Sequence, residues 1–264
     1  MIYPANFEQK IGFDRVREQV AALCCMNVAR ERVLGEEFSV SRKEIERRQE
    51  SADEMRQMLM IDPATPRDEY PDMEAVMAKL GVEGAFLTVE EVVVLRRALT
   101  AVGNMVGFVL SRPQTQYPRL HKRSESVCVF PDIIRRINQI VDDEGGVKDT
   151  ATPELLTIRR AIRQHEGQVA KRLQQVLANA KKAGIVDAEA MISIRDGRAV
   201  IPVSAANKRK LNGFIQDESA TGRTFYIEPV EVVELNNELK ELEYAERREV
   251  VRLLTVFTEE WASR

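Results

Sequence analysis

Two long stretches of helical periodicity, separated by a segment of strand-like composition, constrain the fold of this chain most. Apolar residues recur at spacings of three, four and seven from Leu155 to Val176, and a second such pattern runs from Val232 to Trp261. Each pattern predicts one long amphipathic helix with an apolar seam. We therefore predict a mainly α fold, in which a long antiparallel helical hairpin of coiled-coil type carries a small β subdomain at its tip.

The residues at the ends of these stretches support the prediction. Thr152 is suited to cap the first helix, Pro153 occupies the first helical position, and Lys181–Gly184 supplies cations and a glycine stop. The second stretch has no stop signal before Arg264, so we expect the natural protein to continue.

The insert between the helices has the composition of strands and turns. Residues 191–195 and 198–203 flank Asp196-Gly197, a dipeptide that favours a two-residue hairpin turn. Residues 213–217 and 223–228 form a second expected pair around a turn at 219–222. We predict that 184–230 is a β-rich subdomain inserted between arms at 151–183 and 231–264.

In the first 150 residues, the hydrophobic pattern predicts a platform of shorter helices joined by Pro-containing links. Thr88, followed by Glu90 and Glu91, is expected to cap one of them. The predicted helices cover 13–34, 41–60, 72–80, 88–111 and 131–142.

Charge is distributed unevenly over a chain whose formal net charge is -3. Residues 154–183 hold seven Lys or Arg and two acids, whereas residues 230–264 hold nine acids and five bases. We expect these two helices to lie together, with Arg159, Arg160 and Arg163 paired to acids of the second helix. Because the chain has no overall positive field, any nucleic-acid contact must come from a local basic patch.

One such patch lies between the two predicted hairpins. Three adjacent cations there are suited to neutralising phosphates without reading bases, although a solvated loop would have the same composition. Basic residues on the neighbouring strands are candidates to extend it. The candidate nucleic-acid-binding residues are Asn207, Lys208, Arg209, Lys210, Arg195, Arg198 and Arg223.

Several classes of site are not indicated. Cys24, Cys25 and Cys128 form no Cys-x-x-Cys pair, so we expect buried, reduced thiols rather than disulfides or zinc. His121 and His165 are too far apart to suggest a ligand pair, and no Gly-Lys dipeptide of a phosphate loop occurs. We predict no catalytic residue, metal or cofactor in this chain. The absence of a long uncharged run or a secretory signal predicts a cytoplasmic protein without a membrane partner.

The sequence resembles the MutS family, and within it the recombination-suppressor branch, also called type-two MutS. The resemblance rests on ISIRDGRAVIPV at 192–203, QDESATGRTFYIEP at 216–229 and VELNNEL at 233–239. IGFD at 11–14, KDTATP at 148–153 and IRR at 158–160 extend it over nearly the whole chain.

This resemblance implies a helical lever and a β clamp that closes around nucleic acid. It further implies an ATPase domain, using ATP and Mg²⁺ and forming homodimers, and a small nuclease domain, both beyond position 264. The partners it implies are branched DNA bound without sequence specificity, or ribosomes and their RNA. Mispair reading is disfavoured because the only Phe-x-Glu begins at Phe257, within the last helix.

A different class of function stays open from the helical pattern alone. Paired helices with β hairpins at one end are also typical of prefoldin subunits, which are protein-binding modules. The helical platform before the first arm distinguishes the two, because prefoldin subunits lack it.

Overall fold

A computed structural model describes residues 6–263 of the chain. These residues form two compact units. Unit 1 holds the described residues up to Lys148 together with those from Leu254 onward, and unit 2 comprises Asp149–Leu253. The finer predicted division into platform, arms and inserted subdomain stays a prediction.

Unit 1 is helical. Its core includes a cluster of Met58, Val109, Tyr117 and Leu120, drawn from three helices and a link. Its helices are α1 (Phe7–Ile11), α2 (Phe13–Ala22), α3 (Asn27–Leu34), α4 (Arg42–Ile61), α5 (Glu74–Leu80), α6 (Val89–Ser111), α7 (Pro118–Ser124) and α8 (Pro131–Ile140).

The predicted continuous helix over 13–34 was wrong. The chain leaves the helix after Ala22 and resumes at Asn27, because Met26 adopts an extended conformation. The backbone N–H of Asn27 donates to the Asp72 carboxylate at 3.3 Å, so a residue distant in sequence supports the start of α3.

α6 confirms the predicted cap. The Thr88 hydroxyl accepts from the Glu91 backbone N–H, and the Glu91 carboxylate accepts from the Thr88 N–H, a reciprocal capping box. By length and composition alone α6 is able to cross a membrane. However, core helices meet the same criterion, and α6 buries Val92, Leu95 and Val106 within unit 1.

Unit 2 contains a long helix, a four-stranded antiparallel sheet and the first part of a second long helix. The helix α9 spans Pro153–Lys182, and its N-cap Thr152 accepts from the Leu155 N–H at 3.0 Å, as predicted. The strands are β1 (Ser193–Arg195), β2 (Arg198–Ser204), β3 (Gly213–Glu218) and β4 (Thr224–Pro229), and α10 (Val230–Ala262) follows β4 directly. Both predicted hairpins are present, and Asp196 and Gly197 have the positive φ values of 47° and 72° expected for the first turn.

The two hairpins join through their inner strands in the order β1-β2-β4-β3. Ile201 pairs with Ile227 and Val203 with Phe225, so alternate residues of β2 and β4 share one face. That face packs against Val169 and Leu173 of α9 and forms the core of unit 2. Packing of the sheet on α9 fixes where the loops of the sheet lie.

Side chains join α9 to the part of α10 in unit 2 at three levels. The Thr152 hydroxyl donates to Glu249 at 2.7 Å, Arg159 pairs with Glu246 at 2.7 Å, and His165 Nδ1 lies 3.3 Å from Glu238. The residue number rises on α9 as it falls on α10, so these segments run antiparallel. Pairing of Arg159 with an acid of α10 was predicted, whereas Arg163 pairs with Asp149 instead.

The cysteines correct one expectation. All three are free thiols, but Cys25 and Cys128 are exposed rather than buried, and Cys24 is half-buried. Cys25 lies between α2 and α3 and Cys128 between α7 and α8, and such links run over the surface of a domain.

Candidate nucleic-acid interface

The predicted basic loop follows β2 and begins with a 3-10 turn at Ala205–Asn207. The Asn207 amide donates to the Ile185 carbonyl oxygen at 3.0 Å, which ties the loop to the chain just after α9. Lys208 lies with its Nζ 4.1 Å from the centroid of the Phe225 ring, a cation–π contact. Arg209 and Lys210 are exposed. The loop is thus held by Asn207 and Lys208, and it presents the next two cations to solvent.

Two further cations lie close to this loop. The Ala205 N–H donates to the Arg223 carbonyl oxygen at 2.9 Å, so the exposed Arg223 belongs to the same end of the sheet. Lys182 is exposed in the last turn of α9, two residues before Gly184. From the sequence, Lys182 was interpreted only as one of the cations at the end of the first long helix. We call Lys182, Lys208, Arg209, Lys210 and Arg223 the basic end.

Arg195 and Arg198 are not part of the basic end. Their backbones flank the turn at Asp196-Gly197, six residues and about 20 Å along β2 from Ser204, although the Arg195 side chain reaches Tyr226, the pairing partner of Pro202. Arg195 pairs with Asp217 at 3.0 Å and its guanidinium carbon lies 4.0 Å from the Tyr226 ring centroid. The structure therefore separates the seven candidate residues into two groups.

Arg198 is engaged inside unit 2. It donates to both carboxylate oxygens of Glu228 at 2.7 and 3.0 Å, and to the Asn237 side chain at 2.8 Å. Glu228 is 1% exposed and also accepts from Gln216 and Asn236. This network engages both terminal nitrogens of Arg198 and holds its guanidinium against the buried carboxylate of Glu228.

Sequence reasoning missed the Glu228 network, although a signal for it was present. Glu228 lies in an otherwise apolar strand, and a buried charge requires partners. Asn236 and Asn237 form an amide pair near the start of α10. The position of these amides opposite Glu228 depends on β4 continuing directly into α10, which periodicity alone does not reveal.

Four basic residues along α9 fall into two classes, and those of the first class pair with an acid. Arg159 and Arg163 both donate to Asp149, and these hydrogen bonds hold the pKa of that carboxyl below its usual value. Arg160 and Lys171 are exposed. The first class joins α9 to Asp149, whose carboxylate precedes the N-terminus of the helix, where a negative charge is favourable.

The basic end is suited to contact a polyanion by charge. It offers ammonium and guanidinium groups at an exposed end of unit 2, and contacts with phosphates need only such charges. Within residues 6–263, no three His, Cys, Asp or Glu side chains are grouped to hold a metal ion.

Comparison with known proteins identifies relatives over almost the whole chain. The chain is 34% identical over 246 residues to "Endonuclease MutS2" of Pelotomaculum thermopropionicum, covering 93% of this chain and 31% of that protein. It is 32% identical over 251 residues to "Endonuclease MutS2" of Thermomicrobium roseum, and 29% identical over 254 residues to "Putative endonuclease MutS2" of Bacillus subtilis. These matches cover 94% and 96% of this chain and 31% and 32% of those proteins. The chain thus spans about a third of the length of these relatives, and no family model matches it.

Proposed function

Because this chain is a MutS2 relative over more than nine-tenths of its length, we propose that it is the non-catalytic, nucleic-acid-gripping region of a MutS-like protein. The observation that carries the proposal is the basic end, an exposed cluster of cations in a chain of net charge -3. Non-sequence-specific contact with phosphates requires such a cluster and nothing more.

In this proposal α9 and the first part of α10 act as a lever, and the β subdomain acts as a clamp. Support comes from the antiparallel contacts that join the two helices and from the packing of the sheet on α9. Two long helices held side by side transmit a small rotation at one end as a larger displacement at the other. The motion would come from ATP and Mg²⁺ in a homodimeric ATPase domain elsewhere in the whole protein.

We propose branched DNA as the ligand, and suppression of recombination as the role of the whole protein. The names of the relatives favour a nucleic acid, because an endonuclease acts on one. Ribosomal RNA presents the same phosphate chemistry, so ribosome rescue is the alternative outcome of the test. We propose no catalytic residue in this chain and a cytoplasmic location.

The test compares two triple variants of the chain. Arg209→Glu, Lys210→Glu and Arg223→Glu together reverse three cations of the basic end. Arg160→Glu, Arg247→Glu and Arg248→Glu make the same change in charge at exposed positions on the helices. Binding to a labelled four-way DNA junction, to linear duplex and to ribosomal particles is measured at fixed salt.

We expect the first triple variant to bind the junction at least about tenfold more weakly than the parent chain, and the second to bind within about threefold of it. Equal binding by both triple variants would contradict the role of the basic end. If the first triple variant lost ribosome binding but bound the junction as the parent chain does, the ligand of the basic end would be ribosomal RNA and not DNA. A stable hexamer in light scattering would instead favour the prefoldin-like alternative.

A further inference from the structure

A groove in unit 1, remote in sequence from the basic end, opens between two pairs of helices. Residues of α2 and α3 form one wall, and residues of α4 and α7 form the other. The groove has a volume of about 1250 Å³. α2 has 10 residues and is therefore about 15 Å long, so its wall accommodates about three turns of another helix.

The apolar side chains that line this groove, which we call its floor, are incompletely covered. Phe13, Val16 and Val20 lie on one face of α2 and are 39%, 49% and 46% exposed. Phe38 and Ile45 add apolar surface that is 50% and 37% exposed, and the Phe13 and Phe38 ring centroids lie 6.2 Å apart. A helical stripe of this kind normally packs against another apolar surface, and residues 6–263 leave the groove without an occupant.

The rim of the groove carries excess positive charge. Seven Lys or Arg and three Glu line the groove, although the whole chain has a net charge of -3. Most of these groups pair among themselves or with nearby acids, as Arg47 does with Glu44. Among the described residues, no ion pair or side-chain hydrogen bond occupies the cations of Arg32, Lys122 and Arg123. Arg32 lies on α3 and the other two on α7, so unpaired cations border both walls.

We propose that this groove docks an acidic amphipathic helix of a partner protein. Apolar side chains at positions i, i+3, i+4 and i+7 of that helix would cover the stripe of α2. Its acidic flanks would meet Arg32 on one wall and Lys122 and Arg123 on the other. Nucleic acid fits the groove less well, because its phosphates would meet the rim but leave the apolar floor uncovered.

The probe is a designed, fluorescein-labelled peptide of about 15 residues with Leu at the helical contact positions and Glu elsewhere. Its matched control carries Lys in place of every Glu. Fluorescence anisotropy with the 264-residue chain measures both affinities. We expect the acidic peptide to bind about tenfold more tightly at low salt, with a smaller ratio at high salt.

Two sets of variants separate the floor from the rim. Val16→Asp with Val20→Asp is expected to weaken acidic-peptide binding at least about tenfold, whereas Val40→Asp, at a 99% exposed residue outside the groove, leaves it unchanged. Arg32→Glu, Lys122→Glu and Arg123→Glu together should reverse the preference between the two peptides. Circular dichroism verifies that each variant retains its helices.

Three results would overturn the proposal. Equal binding of both peptides would show that the cations of the rim do not select an acidic helix. Unchanged binding to the variants with substitutions in α2 would show that the peptide does not bind in the groove. A concentration-dependent dimer that is lost on Val16→Asp would show that a second copy of the chain occupies the groove. None of these results bears on the basic end, because its variants change different residues and are measured with DNA.

Discussion

The buried carboxylate of Glu228 links three strands and a helix of unit 2. It receives hydrogen bonds from Arg198 of β2, Gln216 of β3 and Asn236 of α10. A carboxylate removed from water is tolerated only when such donors replace its hydration. One residue therefore fixes the sheet to the start of α10, and its partners hold the orientation of both.

Removing one partner of Glu228 tests how much this network contributes to the stability of the fold. We predict that Arg198→Ala lowers the free energy of unfolding by about 2–3 kcal/mol, because the buried Glu228 side chain loses the guanidinium that donates to both of its oxygens. Urea denaturation followed by circular dichroism gives the value. Arg160→Ala, at an exposed residue, should stay within about 0.5 kcal/mol of the parent. A comparable effect of both substitutions would show that the network contributes no more than a surface charge.

Glu249 gives unit 2 a pH-dependent contact. Its side chain is 4% exposed, and hydrogen bonds from Arg252 and Thr152 hold the pKa of its carboxyl below the usual value for a glutamate. Since the folded state binds this proton more weakly than the unfolded state, the contact stabilises the fold fully above the unfolded pKa. That stability is lost as the pH falls through the lower, folded pKa.

We predict that Glu249→Gln destabilises the chain by about 1 kcal/mol at pH 7 and by progressively less as the pH falls below about 4.5. Denaturation of the parent and the variant at each pH gives the difference, so that other carboxylates cancel. Glu259→Gln, at an exposed position of the same helix, is the control and should show no such trend. A difference that grows towards low pH would refute the assigned direction.

At the scale of elements, the sequence predicted those helices whose ends are encoded locally. α6 and α9 begin at Thr88 and Thr152, whose own hydroxyls cap the helix. α7 was not predicted, because the Glu54 carboxylate of α4 accepts from the Arg119 and Leu120 backbone N–H groups at its start. Such a cap exists only after α4 and α7 have come together, and the local signal that is present, Pro118 at the first helical position, did not identify this helix of seven residues by itself.

In the sheet, too, the features encoded by neighbouring residues were predicted, whereas those that depend on residues distant in sequence were not. Asp196-Gly197 encodes the first hairpin in two residues, and both hairpins were predicted. The pairing of β2 with β4 was not, since it joins residues such as Ile201 and Ile227 across an intervening strand. The order of strands depends on which face packs against α9, and composition does not specify this.

Replacing either of two glycines by alanine is predicted to change the stability of the chain, in opposite directions. A Cβ at Gly213 would lie 2.3 Å from the Glu228 carbonyl oxygen, whereas a Cβ at Gly167, in α9, would meet nothing within 4 Å. We predict that Gly213→Ala destabilises the chain by about 1–3 kcal/mol and that Gly167→Ala stabilises it by about 0.5–1 kcal/mol. Thermal or urea unfolding measures both. Destabilisation by Gly167→Ala would show that α9 is not a regular, solvated helix at that point.

At the scale of the whole molecule, the sequence located a basic patch but not its extent. Lys208, Arg209 and Lys210 were visible as a run of cations, and the structure adds Lys182 from α9. Arg198 looked equivalent in sequence, yet it is engaged with Glu228. Exposed and paired arginines on strands have the same local pattern, so only the position of an acid across the sheet distinguishes them.

The net charge of the chain makes salt dependence an informative measurement. In a chain of net charge -3, attraction to phosphates depends on a few local cations, each of which releases counterions from duplex DNA on contact. The slope of log K against log salt concentration therefore counts those contacts. It distinguishes lost phosphate contacts from a general loss of folding.

We predict that reversing Arg209, Lys210 and Arg223 to Glu makes the slope for duplex DNA shallower by roughly 0.9 for each of these residues that contacts a phosphate, and so by up to about 3. Arg160, Arg247 and Arg248 changed to Glu should leave the slope of the parent intact. Anisotropy titrations of one labelled duplex at several salt concentrations measure both slopes. Weaker binding with an unchanged slope would mean that the substitutions act through the fold of the β subdomain, and that its exposed cations do not touch the DNA backbone.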